Sequence, residues 1–196
     1  MNILITGAQG QVGKELTAIT KSRGYNVIAT GRNELDISKT EDINKFFKQY
    51  KPDIVINVAA YTAVDKAEEE NEIAYLINRD GAKNIAIACA SISIPLFHIS
   101  TDYVFDGTKT EPYNEEDSVS PLGIYGDSKW QGEEAIRKNL SDAMIIRVAW
   151  VFGAQGNNFV KTMLRLANER DELNVVADQF GGPSPAKDIA ETLINL

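Results

Sequence analysis

Cysteine and histidine are almost absent from this chain, which carries one residue of each type among 196. The single thiol, Cys89, cannot form an intrachain disulfide, and its Ala- and Ile-rich surroundings predict a buried side chain without chemistry. The single imidazole, His98, lies inside an apolar run, where a hydrogen-bonded core residue is favoured over a catalytic acid. No Cys, His and Asp residues recur at zinc spacing, so we predict no metal site.

Long hydrophobic runs and an excess of basic charge are also missing. No stretch approaches the roughly 20 uninterrupted apolar residues of a membrane span, and no signal-type segment opens the chain, which predicts a cytoplasmic protein without membrane contact. The formal net charge of −8 repels nucleic acid and anionic lipid. Any phosphate that the protein binds must therefore be held by local geometry. The acidic run from Glu68 to Glu70 is most simply a solvated face.

What the sequence does contain is an alternation of short apolar runs with helical patterns. With 43% hydrophobic residues the chain can bury a sizeable core, as one domain over residues 1–196. The alternation predicts an α/β fold with a doubly wound parallel sheet of the Rossmann type. A long helical stretch is expected from about Ala67 to Ser91, and another helix begins where the chain stops. The predicted strands lie in NILIT from Asn2, NVIAT from Asn26, DIVINVAA from Asp53, IPLFHIS from Ile94 and AMIIRVAW from Ala143.

A glycine-rich turn joins the first predicted strand to the first predicted helix. Gly7, Gly10 and Gly13 recur there at every third position. Gly7 and Gly10 leave the backbone of a tight turn open to a pyrophosphate, and Gly13 permits close packing of helix and strand. Since a helix N-terminus presents free N–H groups to an anion, this placement predicts a bound dinucleotide. The alternative is a glycine turn without a ligand.

The end of the second strand bears on which dinucleotide binds. NAD-binding strands usually end in a carboxylate that accepts from the ribose, whereas this strand ends in Thr30, Gly31 and Arg32. An arginine suits the 2′-phosphate of NADPH, although a solvated surface arginine is the alternative. Asp36 is a separate candidate for contact with the adenine amino group, in a loop after a short third strand. We therefore expect NADPH or NADH, with NADPH favoured.

A tyrosine and a lysine four residues apart carry the chemistry. Tyr125 and Lys129 share one helix face, with Cβ atoms about 5–6 Å apart. The ammonium is expected to lower the pKa of Tyr125 from about 10, so that the phenol can pass a proton. Thr101 ends the LFHIS strand, at the edge where ligands bind in open α/β sheets. Together the three residues are expected to polarise a carbonyl while a nicotinamide delivers hydride.

These features resemble the short-chain dehydrogenase/reductase superfamily, and longer motifs narrow the resemblance. From Met1 to Pro185, the chain is similar to dTDP-4-dehydrorhamnose reductases of the extended branch. The resemblance implies an oxidoreductase that reduces the dTDP-sugar dTDP-4-dehydro-β-L-rhamnose to dTDP-β-L-rhamnose with NADPH or NADH, for cell-surface polysaccharide. A homodimer is kept as an open alternative to a monomer. The motifs are NVAAYTAVDKAE, STDYVFDG, SPLGIYGDSKWQGE, RVAWVFGAQGNNFVKTMLRLA and VVADQFGGPSP.

The resemblance also assigns roles to individual residues. Thr101, Tyr125 and Lys129 match the catalytic residues, with Tyr125 giving a proton to the 4-keto oxygen and Lys129 also holding the nicotinamide ribose. Trp150 is equally well explained as a packing residue. Together with the residues derived above, the expected cofactor contacts are Gly7, Gly10, Gln11, Val12, Gly13, Arg32, Asp36, Ile37, Ala59, Ala60, Tyr61, Thr62, Tyr125 and Lys129. The expected substrate contacts are Thr62, Val64, Thr101, Asp102, Tyr125 and Trp150.

The chain departs from the family in two ways, and two other functions stay open. Family members often end the second strand in an acidic residue, and they are substantially longer. We expect residues from about 150 to 196 to begin the substrate-binding region. The alternatives are a non-catalytic protein, like the regulatory subunit of methionine adenosyltransferase, and another nucleotide-sugar epimerase or dehydratase. Intact Thr101, Tyr125 and Lys129 argue against the non-catalytic protein.

Overall fold

A parallel sheet of five strands forms the centre of the molecule in a computed structural model that describes residues 1–196. The strand order is β2-β1-β3-β4-β5, so the doubly wound parallel sheet predicted from the sequence is confirmed. A separate two-stranded ribbon, β6-β7, lies beyond it. The strands are β1 Asn2–Thr6, β2 Asn26–Thr30, β3 Ile54–Asn57, β4 Leu96–Thr101, β5 Met144–Val148, β6 Val151–Phe152 and β7 Ser184–Pro185.

Helices connect the strands and cover both faces of the sheet. The long helical stretch predicted up to Ser91 is present, and within it Leu76–Gly81 is a π-helical turn between two α-helices. A 3₁₀ turn, Asp102–Val104, follows β4 directly. No helix combines the length and the apolar character that a membrane crossing requires. The α-helices are α1 Gln11–Ser22, α2 Thr40–Tyr50, α3 Val64–Ala67, α4 Asn71–Tyr75, α5 Ala82–Ser91, α6 Ile124–Asn139, α7 Phe159–Glu169 and α8 Ala186–Asn195.

Successive side chains of a strand point to opposite faces of the sheet, so the core is divided into two clusters, one on each face. Leu4 of β1 packs with residues of α2, α5 and α6, whereas its neighbours Ile3 and Ile5 pack with residues of α1 and α8. Cys89 belongs to the first cluster, as predicted, and burial raises the pKa of its thiol to about 12. A strand whose alternate side chains are buried on opposite faces belongs to a sheet covered on both sides.

Helix α8 is a full element of the second cluster. The helix predicted at the end of the chain is confirmed, because α8 has 10 residues and packs along α1. Four of its side chains are buried in the cluster that also contains Ile56 of β3. The helix therefore covers one face of the sheet. The buried residues are Ala186, Ile189, Ala190 and Leu193.

The short third strand expected before Asp36 does not form. The residues after β2 make turns, in which the Gly31 carbonyl accepts from the Leu35 N–H and the Asp36 carboxylate accepts from the Ser38 N–H. Side chains such as Asp compete in this way with a strand ladder for the backbone donors. Leu35 and Ile37 are buried and hold the segment against the core. Asp36 therefore follows β2 directly, and the loop of Ala60 follows the third strand of the chain.

The strand order places the expected binding edge. From β1 the chain proceeds to β2 on one side of the sheet, and β3 then lies on the other side of β1. The order thus reverses between β1 and β3, and the flanking connections leave a crevice above the carboxyl ends of these two strands. In open α/β sheets, ligands bind in that crevice.

The contact between helix α6 and the π-helical turn gives a test of the packing. A Cβ at Gly132 would lie 2.2 Å from the Asn78 carbonyl oxygen. We predict that Gly132→Ala lowers the free energy of unfolding by about 1–3 kcal/mol, as overpacking typically does, in urea denaturation. The control is Gly182→Ala, whose Cβ would have no atom within 4 Å, and which should change that energy by less than about 0.5 kcal/mol. An unchanged unfolding midpoint for Gly132→Ala would contradict the close approach.

Candidate active site

A cavity of about 750 Å³ opens above the carboxyl ends of β1, β3 and β4. It brings together all but one of the site residues predicted from the sequence. The exception is Tyr61, whose side chain lies outside the cavity wall. The predicted residues in the wall are Gly7, Gly10, Gln11, Val12, Gly13, Arg32, Asp36, Ile37, Ala59, Ala60, Thr62, Val64, Thr101, Asp102, Tyr125, Lys129 and Trp150.

The glycine turn lies at one end of this cavity. Gly7 adopts a φ of +65°, and a Cβ on it would lie 2.6 Å from the Ala59 nitrogen, so its missing side chain makes room for the loop after β3 and not only for a ligand. A Cβ on Gly13 would lie 2.4 Å from the Gly7 oxygen, which supports the predicted close packing of helix and turn. Gly10 precedes α1, whose first turn holds no acidic residue and no side-chain cap. The helix N-terminus is therefore open to an anion.

The turn after β2 contains the carboxylate of Glu34, which was not predicted from the sequence. Glu34 Oε2 accepts from the Gly31 N–H at 2.7 Å, which brings a negative charge to the end of β2 from three residues further along the chain. Arg32 is largely exposed, and its Nε lies 3.9 Å from Asp36 Oδ2. The Arg32 guanidinium and the Glu34 carboxylate thus both belong to the turn after β2. This turn forms one corner of the cavity.

Asp36 is held in a fixed orientation beside that corner. Its Oδ1 accepts from the Ser38 N–H at 3.1 Å and from the Ser38 hydroxyl at 2.7 Å. Although partial burial raises the pKa of Asp36, these hydrogen bonds from Ser38 hold the pKa below its ordinary value. The side chain is therefore an ionised acceptor at neutral pH.

Thr101 ends β4 at the centre of the cavity. Its hydroxyl donates to Asp102 Oδ1 at 3.1 Å and accepts from the Tyr103 N–H at 3.2 Å. Burial raises the pKa of Asp102, and the hydrogen bond from Thr101 opposes that rise. The hydroxyl is thus anchored from two sides, as a group that contacts a ligand in a fixed position requires.

Tyr125 lies in the first turn of α6, partly buried, with its ring edge-to-face against Tyr103 at a centroid distance of 5.6 Å. Burial raises the pKa of Tyr125 to about 12, and the Thr101 hydroxyl opposes the rise. The lowered pKa predicted from the sequence is therefore wrong for this structure. Burial outweighs any stabilisation of the phenolate, and the Lys129 amine is bonded to β4 instead.

Lys129 is one of the most deeply buried side chains of the molecule, with 2% of its surface exposed. Its Nζ donates to the Ile99 carbonyl at 2.6 Å and lies 3.3 Å from Nε2 of His98. Burial lowers the pKa of Lys129 from 10.5 to about 8, with Glu133 acting in the opposite direction. His98 is itself buried and hydrogen-bonded, so the prediction of a core imidazole is confirmed.

A buried ion pair fastens α6 to the edge of the sheet. Arg147 of β5 donates to both carboxylate oxygens of Glu133, at 2.9 and 2.7 Å, and Arg137 donates to one of them at 2.9 Å. Burial raises the pKa of Glu133, but the hydrogen bonds from Arg147 and the guanidinium charges outweigh it and hold the pKa below its ordinary value. Tyr125, Lys129 and Glu133 recur at every fourth position, a signal that the sequence carried and that we did not use.

The loop after β3 is held by an asparagine from the π-helical turn. Asn78 accepts from the Tyr61 N–H at 2.8 Å, and its amide nitrogen donates to the Tyr61 carbonyl and to the Ser128 hydroxyl of α6. The Tyr61 hydroxyl donates to Glu70 at 2.7 Å, away from the cavity. Asn78 could not be recognised from local patterns, because its partners Tyr61 and Ser128 lie 17 and 50 residues away along the chain.

The acidic run is more than a solvated face. All three residues are exposed, but Glu70 accepts from Tyr61, and Glu68 accepts from the Ile124 N–H at the first residue of α6. A carboxylate at that position pairs with a free donor of the helix N-terminus. The predicted solvated face is therefore confirmed, and two of its members also accept hydrogen bonds.

Trp150 combines backbone strain with exposure at the cavity mouth. Its φ of 45° lies in the left-handed region, which is unfavourable for a bulky residue, and its side chain is about half exposed. A Cβ on Gly181 would lie 2.9 Å from the indole, so this glycine packs flat against the ring. Strain of this kind clusters at functional sites, which favours a ligand contact over simple packing.

A side-chain contact joins the glycine turn to the start of α7. Gln11 Oε1 accepts from Asn158 Nδ2 at 2.9 Å, and the same Nδ2 donates to the Gly153 carbonyl. Asn158 Oδ1 caps α7 by accepting from the Lys161 N–H. Gly156, Asn157 and Asn158 thereby enter the cavity wall beside the glycine turn. These residues were also missed in the sequence.

The fold and the site define a class of protein. A doubly wound sheet with a glycine turn after β1, and with Thr, Tyr and Lys at its carboxyl edge, is the arrangement of the short-chain dehydrogenases/reductases.

Comparison with known proteins narrows the class. The model of the RmlD substrate binding domain matches residues 1–196. The chain is 48% identical over 194 residues to the spore coat polysaccharide biosynthesis protein SpsK of Bacillus subtilis, covering 99% of this chain and 69% of that protein. It is 46% identical to a dTDP-4-dehydrorhamnose reductase of Aggregatibacter actinomycetemcomitans, covering 99% of this chain and 66% of that one.

Solved structures agree with these relatives. A dTDP-4-dehydrorhamnose reductase from Bacillus anthracis, in complex with NADP, is 41% identical with a TM-score of 0.95, covering 99% of this chain and 69% of that chain. The chain belongs to the dTDP-4-dehydrorhamnose reductase family. It spans about two thirds of the length of the relatives that it matches.

The buried Lys129 predicts a specific pH dependence of stability. Because the pKa is about 8 in the folded chain and ordinarily 10.5, the unfolded chain binds one more proton between these pH values. The free energy of unfolding should therefore rise with pH across this window, by about 3 kcal/mol at most. Urea denaturation at pH 7 and pH 10 should show wild type gaining stability relative to Lys129→Met. Equal gains in both proteins would mean that Lys129 has an ordinary pKa.

Proposed function

We propose that this protein reduces dTDP-4-dehydro-β-L-rhamnose to dTDP-β-L-rhamnose with NADPH or NADH. The observation that carries the proposal is the single cavity that holds the glycine turn at one end and Thr101, Tyr125 and Lys129 near its centre. A cofactor anchored at the turn and a ketone beside the hydroxyls would therefore share one enclosed space. The names of the relatives support the same substrate.

The shape of the turn fits a dinucleotide. Because Gly7 and Gly13 have no room for a Cβ and the α1 N-terminus is uncapped, the backbone N–H groups near Gly10 and Gln11 can hold the pyrophosphate. Bound NADPH or NADH would supply the hydride. Asp36 and Ile37 would contact the adenine end, and Lys129 the nicotinamide ribose. The remaining contacts are proposed at Val12, Ala59, Ala60, Tyr61 and Thr62.

The substrate side requires a proton donor. Because burial keeps the pKa of Tyr125 at about 12, the phenol carries a proton at neutral pH, and this is the proton that it would give to the 4-keto oxygen. The Thr101 hydroxyl, which accepts from the Tyr103 N–H, would turn its one O–H from Asp102 to the same oxygen when the ketone is bound. Hydride adds to the carbonyl carbon and the Tyr125 proton to the oxygen, which yields the alcohol. Thr62, Val64, Asp102 and Trp150 are the proposed further contacts of the sugar nucleotide.

Four further expectations about this protein come from its amino-acid sequence. We propose that residues from about 150 to 196 begin the substrate-binding region, an idea supported by the position of Trp150 at the cavity mouth. A cytoplasmic location, a homodimer and the absence of nucleic-acid binding stay predictions.

The test of the function follows NADPH absorbance in a single turnover. The protein is used in excess over dTDP-4-dehydrorhamnose, so that slow chemistry is still detected, and other nucleotide 4-keto sugars serve as controls. Oxidation of one NADPH per substrate supports the reductase. An epimerase or dehydratase would keep its cofactor through the cycle, and a regulatory protein would bind without oxidising it, so either result would contradict the proposal.

The proton donor is tested by removing only its hydroxyl. We predict that Tyr125→Phe slows the single turnover at least 100-fold, since general acid catalysis is typically worth roughly 10²–10⁴-fold, while NADPH affinity stays close to that of wild type. Tyr103→Phe is the matched control, because it removes a neighbouring phenol whose ring packs on Tyr125. A Tyr125→Phe protein that kept more than about a tenth of the rate would not fit a proton donor.

Cofactor choice is tested at the corner after β2. Arg32→Ala should weaken NADPH binding about tenfold and NADH binding little, because only NADPH offers a 2′-phosphate to the guanidinium. Glu34→Gln should act in the opposite sense and strengthen NADPH, because it removes a negative charge beside that phosphate. Asn33→Ala, at the exposed residue between them, is the control. Fluorescence titration with each cofactor measures the affinities, and equal losses for both cofactors in Arg32→Ala would assign Arg32 to the solvated surface.

A further inference from the structure

Four polar side chains form a continuous buried chain beneath the cavity. The Thr6 hydroxyl donates to Asn57 Oδ1 at 2.5 Å, and Asn57 Nδ2 lies 2.9 Å from His98 Nδ1. His98 Nε2 lies 3.3 Å from Lys129 Nζ. All four residues are at most 4% exposed, so water cannot stand in for any partner. The polarity of each contact therefore decides the proton positions along the chain.

The orientation of the Asn57 amide is fixed by its other partners. Its Oδ1 accepts both from the Thr6 hydroxyl and from the Ala59 N–H, the latter at 3.2 Å. The amide nitrogen must then be the atom that faces His98. Because an amide NH₂ only donates, His98 Nδ1 must accept and carries no proton.

The ring of His98 consequently carries its proton on the other nitrogen. Burial lowers the pKa of His98 well below 6.5, so the ring is neutral and has one N–H. With Nδ1 as the acceptor, that N–H is on Nε2 and points at Lys129 Nζ. An ammonium has three donors and no acceptor, whereas a neutral amine has a lone pair that can accept.

The charges around Lys129 also favour the amine. On α6, Tyr125 lies one turn earlier and Glu133 one turn later. His98 and Thr101 lie opposite on β4, and the ionisable Asp102 lies in the 3₁₀ turn that follows it. Glu133 is the fully buried carboxylate of this set, and both of its oxygens are bonded to the Arg147 guanidinium of β5. The one hydrogen bond that Nζ donates goes to the uncharged Ile99 carbonyl. A buried ammonium here would have no counter-ion of its own.

We propose that His98 is a positioning residue for Lys129: its ring, locked by Asn57 as the Nε2–H tautomer, donates to Nζ and holds the side chain as a neutral amine against β4. The inference rests on the proposed function, because Lys129 matters to that reaction as the partner of Tyr125 and of the nicotinamide ribose. Lys129 can then act as a cation only after it takes up one proton from solvent and gives up the contact with His98.

The tautomer is measured directly, since His98 is the only histidine of the chain. Two-dimensional ¹⁵N–¹H NMR of the imidazole in the wild-type protein needs no assignment. We expect a neutral ring with a pyridine-type Nδ1 and a pyrrole-type Nε2 at pH 9, above the Lys129 pKa of about 8. A ring protonated on Nδ1, alone or together with Nε2, would overturn the proposal.

Replacing the Asn57 amide donor by an acceptor tests whether His98 controls the protonation of Lys129. Asn57→Asp keeps the shape and the contacts to Thr6 and Ala59, but its carboxylate accepts from Nδ1–H, so that Nε2 becomes an acceptor for the ammonium. We expect the Nδ1–H tautomer, and a Lys129 titration midpoint that rises by about one pH unit or more in ¹³C-lysine NMR. The Lys129 signal is assigned by its absence in Lys129→Met.

The exposed Asn44→Asp, which adds the same charge elsewhere, should leave both readouts as in wild type. Retention of the Nε2–H tautomer, or an unchanged Lys129 midpoint, in Asn57→Asp would overturn the proposal. Neither readout uses cofactor or substrate. Failure of the single-turnover assay with these NMR results intact would therefore count against the proposed function alone.

Discussion

The buried carboxylate of Glu133 is the interaction on which the site depends. It joins Arg147 of β5 to the middle of α6, and that helix carries Tyr125 and Lys129 towards the ends of the strands. A carboxylate with no exposed surface is tolerated only when its oxygens are fully paired. The pairing fixes both the height and the rotation of α6 against the sheet. Thr101 comes from β4, the neighbour of β5, so the distance from Thr101 to Tyr125 is set by the same attachment.

Missing side chains let the layers approach each other around this attachment. At Gly126 a Cβ would lie 2.1 Å from the Tyr103 carbonyl, which brings the start of α6 directly onto the turn after β4. Gly7 makes the same allowance between the first turn and β3. The three reacting side chains therefore enter the cavity from a strand end, at Thr101, and from one helix face, at Tyr125 and Lys129. Positions of that kind move little, which suits groups that must meet a reacting carbonyl.

Much of the fold and part of the site could be predicted from local patterns. NVIAT was recognised with the same bounds as β2 because an apolar run between polar turns is a local signal. Thr101 could be predicted because it ends an apolar strand pattern. Tyr125 and Lys129 could be predicted because their i, i+4 spacing is read directly from the sequence. The strand expected at Asp36 failed because local side-chain bonds satisfied the backbone there instead.

Burial and long-range pairing could not be read in the same way. The Tyr125 pKa was given the wrong direction because the sequence shows a nearby lysine but not the loss of solvent. Asn57 and His98 are 41 residues apart, and Asn78 and Ser128 are 50 apart, so nothing local marks them as partners. The Glu34 carboxylate was overlooked for another reason, since a turn folded it back onto the strand end. Each missed group is a polar side chain whose role is defined only by what lies opposite it.

The contact between Gln11 and Asn158 couples two distant parts of the chain. These two amides are separated by 147 residues, yet one hydrogen bond joins the first turn of α1 to the residue that caps α7. Helix α7 buries none of its side chains, and Lys161 in its first turn donates to the Ala154 and Gly156 carbonyls. The segment before α7 is therefore tied both to that helix and to the glycine turn. A ligand that draws Gln11 away from Asn158 would remove one of these ties and would weaken the coupling between the glycine turn and α7.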